Sequence, residues 1–453
     1  GVTLPEGTKS IGFYIWPEDN ETGTIGLPKV NYGNHCMPYD KYGETRIVDP
    51  IGNAEVPSIA RMYITSGSQN YKKIVPFKYV SRSVATSGYL SFDIQGDSSR
   101  DYEKKNLKIK LFKDPKGDEK LKLKVLPSWK KNSKFNLKAN WIDATQARNI
   151  VNARLIKDAV TMTPLAKPDQ TPILDTPDMG QINGVPVELY FDGDFFGLYT
   201  LNTKKDDVTF AMDSTDPKQE VISSGVSHDA FANANATIDG TNYETEVHDT
   251  PSDAINANFT KLLQFINTAS DDDFKAHIAD YIDVNSVINE MLFGIFSHEY
   301  DFYGKSILLA TWNEGAYWYM IPYDLDSTWG LSFRGEQVYN DDDYFNLSLA
   351  LNGDPKAGAI VGFNGNPLLS RIYKFFKPEI KRQGQLLRST VWSTQAIITQ
   401  FRDFIDSIPV DSYKKEQDKW AALPSVNITS FNQIQSYVIK RSQEFDSFLS
   451  KLA

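Results

Sequence analysis

Between Tyr89 and Val125 apolar side chains return at every second position, whereas from about Asn258 onward they return every three to four. A chain that changes period in this way builds its sheet and most of its helices from separate stretches, so the fold class expected is α+β. LSFDI, NLKIKLF and, after the turn DPKGDE, KLKLKV read as strands. In the last of these Leu121, Leu123 and Val125 face one way and Lys122 and Lys124 the other, which predicts a hairpin with one wet face. A second strand pair, VPVELYF and GLYTL, flanks Asp192-Gly193-Asp194, and Asp-Gly between strands favours a tight hairpin turn. One helix is embedded among these strands, from Asp143 to Met162, with Asp143 and Thr145 as capping residues and Ala147, Ile150, Val151 and Leu155 at helical spacing. Helical spacing dominates in NFTKLLQFINT, DDDFKAHIADYI and VNSVINEMLFGIFSHEY. It breaks for a strand pair, SILLATW and AYWYMIPYD, around Asn313-Glu314-Gly315, and returns from about Pro367. The expected organisation is a β-rich N-terminal extension over 1–80, a β-rich lobe with its helix over 81–210, an Asn-, Asp-, Thr- and Ser-rich surface insertion over 211–256, and an α-rich lobe over 257–453.

Charge narrows the partners. Lys and Arg number 48 against 58 Asp and Glu, a net charge of -10, so the chain lacks the overall basic field that draws nucleic acid or anionic lipid. The lysines between Lys104 and Lys138 are expected on the wet face of a hairpin, and nucleic acid is not an expected partner. Cys36 is the single cysteine, which rules out an intrachain disulfide. No run of about 18 apolar residues occurs, so no transmembrane helix is expected. The start, GVTLPEG, carries no signal pattern and is compatible with a trimmed chain. His residues are scattered without a zinc-type spacing, and no G-x-S-x-G elbow is present.

The stretch from His298 to Gly330, HEYDFYGKSILLATWNEGAYWYMIPYDLDSTWG, holds the chemistry. Phosphoryl transfer needs one carboxylate to orient the attacking hydroxyl and another to hold magnesium against the phosphates. Asp301, at the end of an apolar helix, and Asp324, leaving a strand into Leu325-Asp326-Ser327-Thr328-Trp329-Gly330, supply both types. Asp also clusters in turns and caps, and the pattern alone is equally compatible with that role.

These residues resemble the CotH (spore coat protein H) kinase family, in which an Asp is followed about two dozen residues later by a strand and a D-x-D-x-x-x-G element. Upstream, GDSSRDYEKKNLKIKLFKD resembles the family's G-x-S-S loop and following strand, FNLKANWIDATQARNIVNARLIKDA its L-x-x-N-x-x-D-x-S/T-x-x-R-N segment, matched at Asn140, Asp143 and Arg148, and VPVELYFDGDFFGLYTL its second hairpin. The resemblance runs from about Gly96 to Gly330 and implies an atypical protein-kinase-like fold, a β-rich N-terminal lobe followed by an α-rich C-terminal lobe. It implies ATP and Mg2+ as cofactors, Asp301 as the catalytic residue, Asp324 assisted by Asp326 as metal ligands, and Gly96, Ser98, Ser99, Lys108 or Lys110, and Arg148 as nucleotide-binding residues. The implied reaction moves the γ-phosphoryl group of ATP to Ser or Thr of a protein partner. The implied setting is a bacterial cell surface or secreted one, with cytoplasmic and virion-associated settings left open.

The chain also departs from the family pattern. Thr203 stands where many relatives carry Glu after the second hairpin, Lys305 and Ser306 stand where a metal-binding Asn is expected, and Gln95 precedes Gly96 in place of Arg. These changes support a different class of function, a non-catalytic surface or phage-associated module that keeps the fold. A glycosidase using Asp301 and Asp324 is a third reading, favoured by an open sugar-sized groove with no lysine opposite the acids and failing if Lys108 or Lys110 points at Asp324.

Overall fold

The computed structural model describes residues 57–66, 71–96, 98–224, 230–299, 301, 304–338 and 366–452. Within them the architecture is α+β. Seven strands close a barrel: β1 (Ala60–Ile64), β2 (Ile74–Val80), β3 (Ala85–Gln95), β4 (Asn106–Phe112), β5 (Lys134–Lys138), β6 (Gly184–Phe191) and β7 (Asp194–Asn202), in the order β1-β2-β3-β4-β5-β7-β6. Neighbours run antiparallel except at the closing seam, where β1 lies parallel to β6. The period-2 pattern has its usual cause: Leu107, Ile109 and Leu111 of β4 fill the barrel core with Phe135 and Leu137 of β5, while Lys108 and Lys110 point outward. The β6–β7 hairpin turns at Asp192 and Gly193, whose φ angles of 51° and 93° suit Asp-Gly.

A second, four-stranded sheet has the order β11-β10-β8-β9, from β8 (Glu220–Ser224), β9 (Tyr243–Thr245), β10 (Ile307–Thr311) and β11 (Tyr319–Pro322). The described helices are α1 (Arg148–Met162), α2 (Asp253–Thr268), α3 (Asp271–Tyr281), α4 (Val284–Ser297), α5 (Pro367–Phe375), α6 (Lys377–Ser389), α7 (Thr394–Asp406), α8 (Val410–Lys419) and α9 (Phe431–Lys451). Ser252, Ser270 and Asp283 cap α2, α3 and α4 through side-chain acceptors. Helix α4 is buried along nearly its whole length, packing against β11 and α9, and so brings its C-terminal end to the chemistry-bearing segment from the inside of the molecule.

Three expectations change. KLKLKV does not form a full strand: it makes two isolated bridges, Phe112↔Lys120 and Leu123↔Asn132, and the place beside β4 is taken by the short, polar KFNLK of β5. The alternation in KLKLKV is real all the same, because Leu123 and Val125 are buried in the barrel core and Lys122 and Lys124 are exposed. The stretch 211–256 is no surface insertion. It supplies β8 and β9, and Val221, Ile222, Phe231 and Tyr243 are buried in the helical core. Finally, β1 and β2 belong to the same barrel as β3 to β7, so the boundary expected at residue 80 falls inside one closed sheet. The remainder of the expected 1–80 extension, including IGFYIW, lies outside the described residues.

Candidate active site

Asp324 follows the end of β11, where Pro322 ends the strand and Tyr323 N donates to Ser306 O at 3.0 Å. Its φ of 61° is left-handed, a conformation that Asp tolerates better than most residues. There its Oδ1 meets Lys138 Nζ, at the end of β5, at 3.3 Å, and 42% of the Asp324 side chain remains exposed against 14% of Lys138. The Lys138 charge holds the Asp324 carboxyl below its ordinary range against the opposing effect of burial, with Lys205 and Lys305 adding to it. Burial disfavours the Lys138 ammonium, but Asp324, Tyr323 and Asp326 outweigh it and raise its pKa. Asp326 behaves oppositely: burial first, then the negative charge of Asp324 with smaller pushes from Asp143 and Asp301, lifts its carboxyl to about 8.

The loop bearing Asp326 is fastened from several sides. Asn152 Nδ2 donates to Leu325 O and to Thr328 Oγ1, both at 2.7 Å, and Asn152 Oδ1 accepts from Trp329 Nε1 at 2.8 Å. Arg148 Nε donates to Thr328 O at 3.0 Å, and Trp329 N to Ser297 O at 2.6 Å. Arg148, expected among the nucleotide ligands, is wholly buried: Nη1 pairs with Asp143 Oδ1 at 2.7 Å and Nη2 donates to Gln433 Oε1 at 2.8 Å. Three of its five N–H donors bond protein acceptors and the side chain is sealed from solvent, so it positions the Asp326 loop rather than facing a ligand. Asp143 in turn accepts the amides of Ala147 and Arg148 and starts α1.

Asp301 comes just after α4, whose cap His298 has a φ of 59°. Asp301 Oδ2 is paired with Lys305 Nζ at 3.1 Å, and Asp301 N donates to Glu299 Oε1 at 2.9 Å. Burial opposes the Lys305 charge, and Asp301 and then Asp324 restore and raise it. Asp301, Asp324 and Asp326 therefore lie within electrostatic reach of one another, with Lys138, Lys205 and Lys305 around them.

The other expected residues are placed as follows. Gly96 has a φ of 110°, and a Cβ there would fall 1.9 Å from Ser99 Oγ, so the turn requires glycine. Ser98 and Ser99 form one turn of 3-10 helix, in which Ser99 Oγ accepts from Asn106 Nδ2 at 3.2 Å. A few residues on, the half-buried Tyr102 ring reaches the field of Asp326 and Asp324, which, after burial, raises its hydroxyl pKa. Lys108 instead faces Asp93 at 3.8 Å and is half exposed, and Lys110 is exposed opposite Lys134. The lysine against Asp324 is Lys138, which sequence reasoning passed over. Its signal was present in KFNLK, where Lys134, Asn136 and Lys138 share one face. Thr203, at the site of the missing Glu, accepts from Asn183 N at 3.0 Å. Glu246, from the stretch read as an insertion, pairs with Lys205 at 2.5 Å.

Among the described residues no three His, Cys, Asp or Glu side chains converge on one cation position. Asp324 and Asp326 nevertheless fit Mg2+: that ion commonly takes one or two carboxylates and completes its shell with phosphate and water. Burial first and the Asp324 charge second hold the Asp326 carboxyl toward its protonated form, a penalty that a divalent cation relieves. A groove of about 590 Å3 between α2 and α3, lined by Lys261, Phe265, His277 and Tyr281, contains none of these residues.

Among curated proteins, inner spore coat protein H of Bacillus subtilis (strain 168) is 25% identical over 194 residues, 41% of this chain and 47% of that protein. The chain thus spans about half the length of that relative. The model of the family described as CotH kinase protein matches residues 92–445, a span that runs from β3 through the Asp301, Asp324 and Asp326 cluster into α9, and the chain belongs to that family.

Proposed function

We propose that this chain is an atypical, two-lobed protein kinase that moves the γ-phosphoryl group of ATP to a Ser or Thr hydroxyl of a protein partner. The observation that carries the reading is the meeting of Lys138 with Asp324 at 3.3 Å, in a partly exposed position within electrostatic reach of Asp326. A lysine beside a metal-binding carboxylate, with a further acid for the nucleophile, is the minimum set for phosphoryl transfer. Neither Lys108 nor Lys110 points at Asp324, but Lys138 stands opposite it, and that favours phosphoryl transfer over the glycosidase reading.

In this scheme Asp301 accepts the proton of the acceptor hydroxyl as its oxygen bonds to the γ-phosphorus, and the bond to the β,γ-bridging oxygen breaks to leave ADP. Lys138 neutralises charge on the phosphates, and the backbone amides of Gly96, Ser98 and Ser99 cover them. Asp324 and Asp326 would hold Mg2+, which would supply positive charge against the phosphate oxygens. Arg148 and Asn152 keep Asp326 in register with Asp324. The description of the relative as an inner spore coat protein leads us to assign the activity to a spore coat or cell surface.

Incubation with Mg2+, labelled ATP and a Ser-rich acceptor should transfer label. Asp301→Asn should lower transfer by at least about 100-fold while nucleotide binding persists. Absence of transfer by the wild-type chain above a heat-inactivated control would remove the reading. A second reading, a binding module that no longer transfers, draws on the Lys305 contact to Asp301 and on Ser306 at the position of the expected Asn. Such a module would bind the nucleotide and leave the acceptor unlabelled.

A further inference from the structure

The outer face of the barrel carries a second concentration of lysines. Lys110 of β4 and Lys134 of β5 are directly opposed in the antiparallel register. Lys204, two residues past the end of β7, is pushed down in pKa by burial and then by the charge of Lys134, against Asp206 and Glu246, with Lys110 adding a smaller push down, so the three ammonium groups share a neighbourhood with those two acids. Like charges opposed across a sheet cost stability. The acids nearby are already committed: Asp206 accepts from Asn132 Nδ2 and from the amides of Val208 and Thr209, and Glu246 is paired with Lys205.

This patch is continuous with the candidate active site. Lys134, Asn136 and Lys138 alternate along one face of β5, and Asn136 is flanked in register by Lys108 of β4 and Asn202 of β7. Asn136 and Asn202 are buried, their side-chain oxygens without a hydrogen-bond partner among the described residues, so the strand between the two lysine positions is polar but covered, and an acceptor would meet the partly exposed lysines at its two ends. Lys134 lies four residues from Lys138 on an extended strand, roughly 13 Å. That exceeds the separation of the outer phosphates of one triphosphate, so a nucleotide held at Lys138 and Asp324 leaves the patch free. An extended acceptor chain covers the same span in about four residues.

We infer that Lys110, Lys134 and Lys204 form a docking subsite for a phosphate monoester already present on the acceptor, about four residues from the hydroxyl to be phosphorylated. The inference rests on the kinase reading and refines it. A phosphate monoester carries close to two negative charges and three acceptor oxygens, which suits three ammonium groups better than one carboxylate does. Acceptors modified once would then be preferred for modification nearby.

Fluorescent peptides with one Ser and, about four residues away, phosphoserine, Glu or a second Ser are titrated into the full chain without nucleotide. The phosphoserine peptide should bind about ten-fold more tightly than the other two. The double variant Lys134→Ala/Lys204→Ala should erase that preference and keep its affinity for MgATP, with circular dichroism and a melting curve confirming the fold. Lys110→Glu, at an exposed position, gives the same reading if the double variant fails to fold. Equal binding of all three peptides, a preference that survives in the variants, or Glu binding as well as phosphoserine would overturn the inference. Loss of MgATP affinity in the variants would overturn it too, by assigning the lysines to the nucleotide. A chain that prefers the phosphopeptide but transfers no label leaves the subsite standing and removes the kinase reading.

Discussion

Two lysine–carboxylate pairs attach the barrel to segments that follow it, and they are built for opposite ends. At the seam with α8, Lys104 Nζ donates to Ala139 O at 2.9 Å, to Leu198 O at 2.5 Å and to Glu416 Oε1 at 2.5 Å, while Glu416 Oε2 accepts from Leu198 N at 2.6 Å. Both side chains are sealed, at 0% and 3% exposure, and Lys104 also lies over the Tyr199 ring. Even the backbone closes around them, since a Cβ at Gly197 would stand 2.9 Å from Lys104 Cε. At the candidate active site Lys138 makes one contact with Asp324, part of Asp324 faces solvent, and Asp326 is raised toward neutrality by burial and then by the Asp324 charge, more than Lys138 offsets. A buried pair with every donor and acceptor used can only hold structure. A pair left open, with an acid to spare, keeps capacity for a ligand.

Breaking the sealed pair is the harsher test. Lys104→Ala leaves Glu416 buried without its cation and should cost about 3–5 kcal/mol in urea unfolding. The same substitution should leave MgATP affinity intact in the molecules that remain folded. A loss below about 1 kcal/mol, the size expected of an exposed pair, would erase the distinction between the two sites. Breaking the open pair should reverse the balance: Lys138→Met should change stability by no more than about 1 kcal/mol yet weaken MgATP binding by roughly 10- to 100-fold, as expected for a hydrogen bond to a charged group. Calorimetric titration reads the second effect. Unchanged affinity would return the phosphate role to Lys108 or Lys110.

The contrast also explains what the sequence could disclose. Asp301, Asp324 and Asp326 were legible because all three fall in one 30-residue stretch whose strand and turn residues announce themselves. The β6–β7 and β10–β11 hairpins were legible for the same reason: their partners are adjacent in sequence and their turns carry Asp-Gly and Asn-Glu-Gly. Lys138 was not, since nothing local distinguishes it from Lys108 or Lys110. Its place follows from which strand ends beside β11, a matter of barrel register. Arg148 was misassigned for a related reason, because a charged residue at the start of a helix looks exposed until Asp143, Thr328 and Gln433 are folded around it. Polar composition likewise disguised β8 and β9, where only short runs such as VIS show the apolar content that a buried strand needs.

A third buried charge sharpens the comparison. Glu290, inside α4, is 2% exposed, its Oε2 has no hydrogen-bond partner among the described residues, and burial alone raises its carboxyl to about 8. It has neither the sealed cation of Glu416 nor the open surroundings of Asp324, so the folded chain keeps it protonated at neutral pH. A carboxyl whose folded pKa lies above its unfolded value of 4.5 contributes most below that value, and the contribution is lost as pH rises through about 8. Glu290→Met, which removes the titration and fills similar space, should therefore stabilise the chain at pH 8 by up to about 4 kcal/mol. The gain should shrink toward about pH 4, where the wild-type carboxyl is neutral in the folded state and mostly so in the unfolded one. Denaturant unfolding of both chains at the two pH values measures it. A difference that did not depend on pH would mean that Glu290 has a cationic partner in solution, and would move it to the class of Glu416.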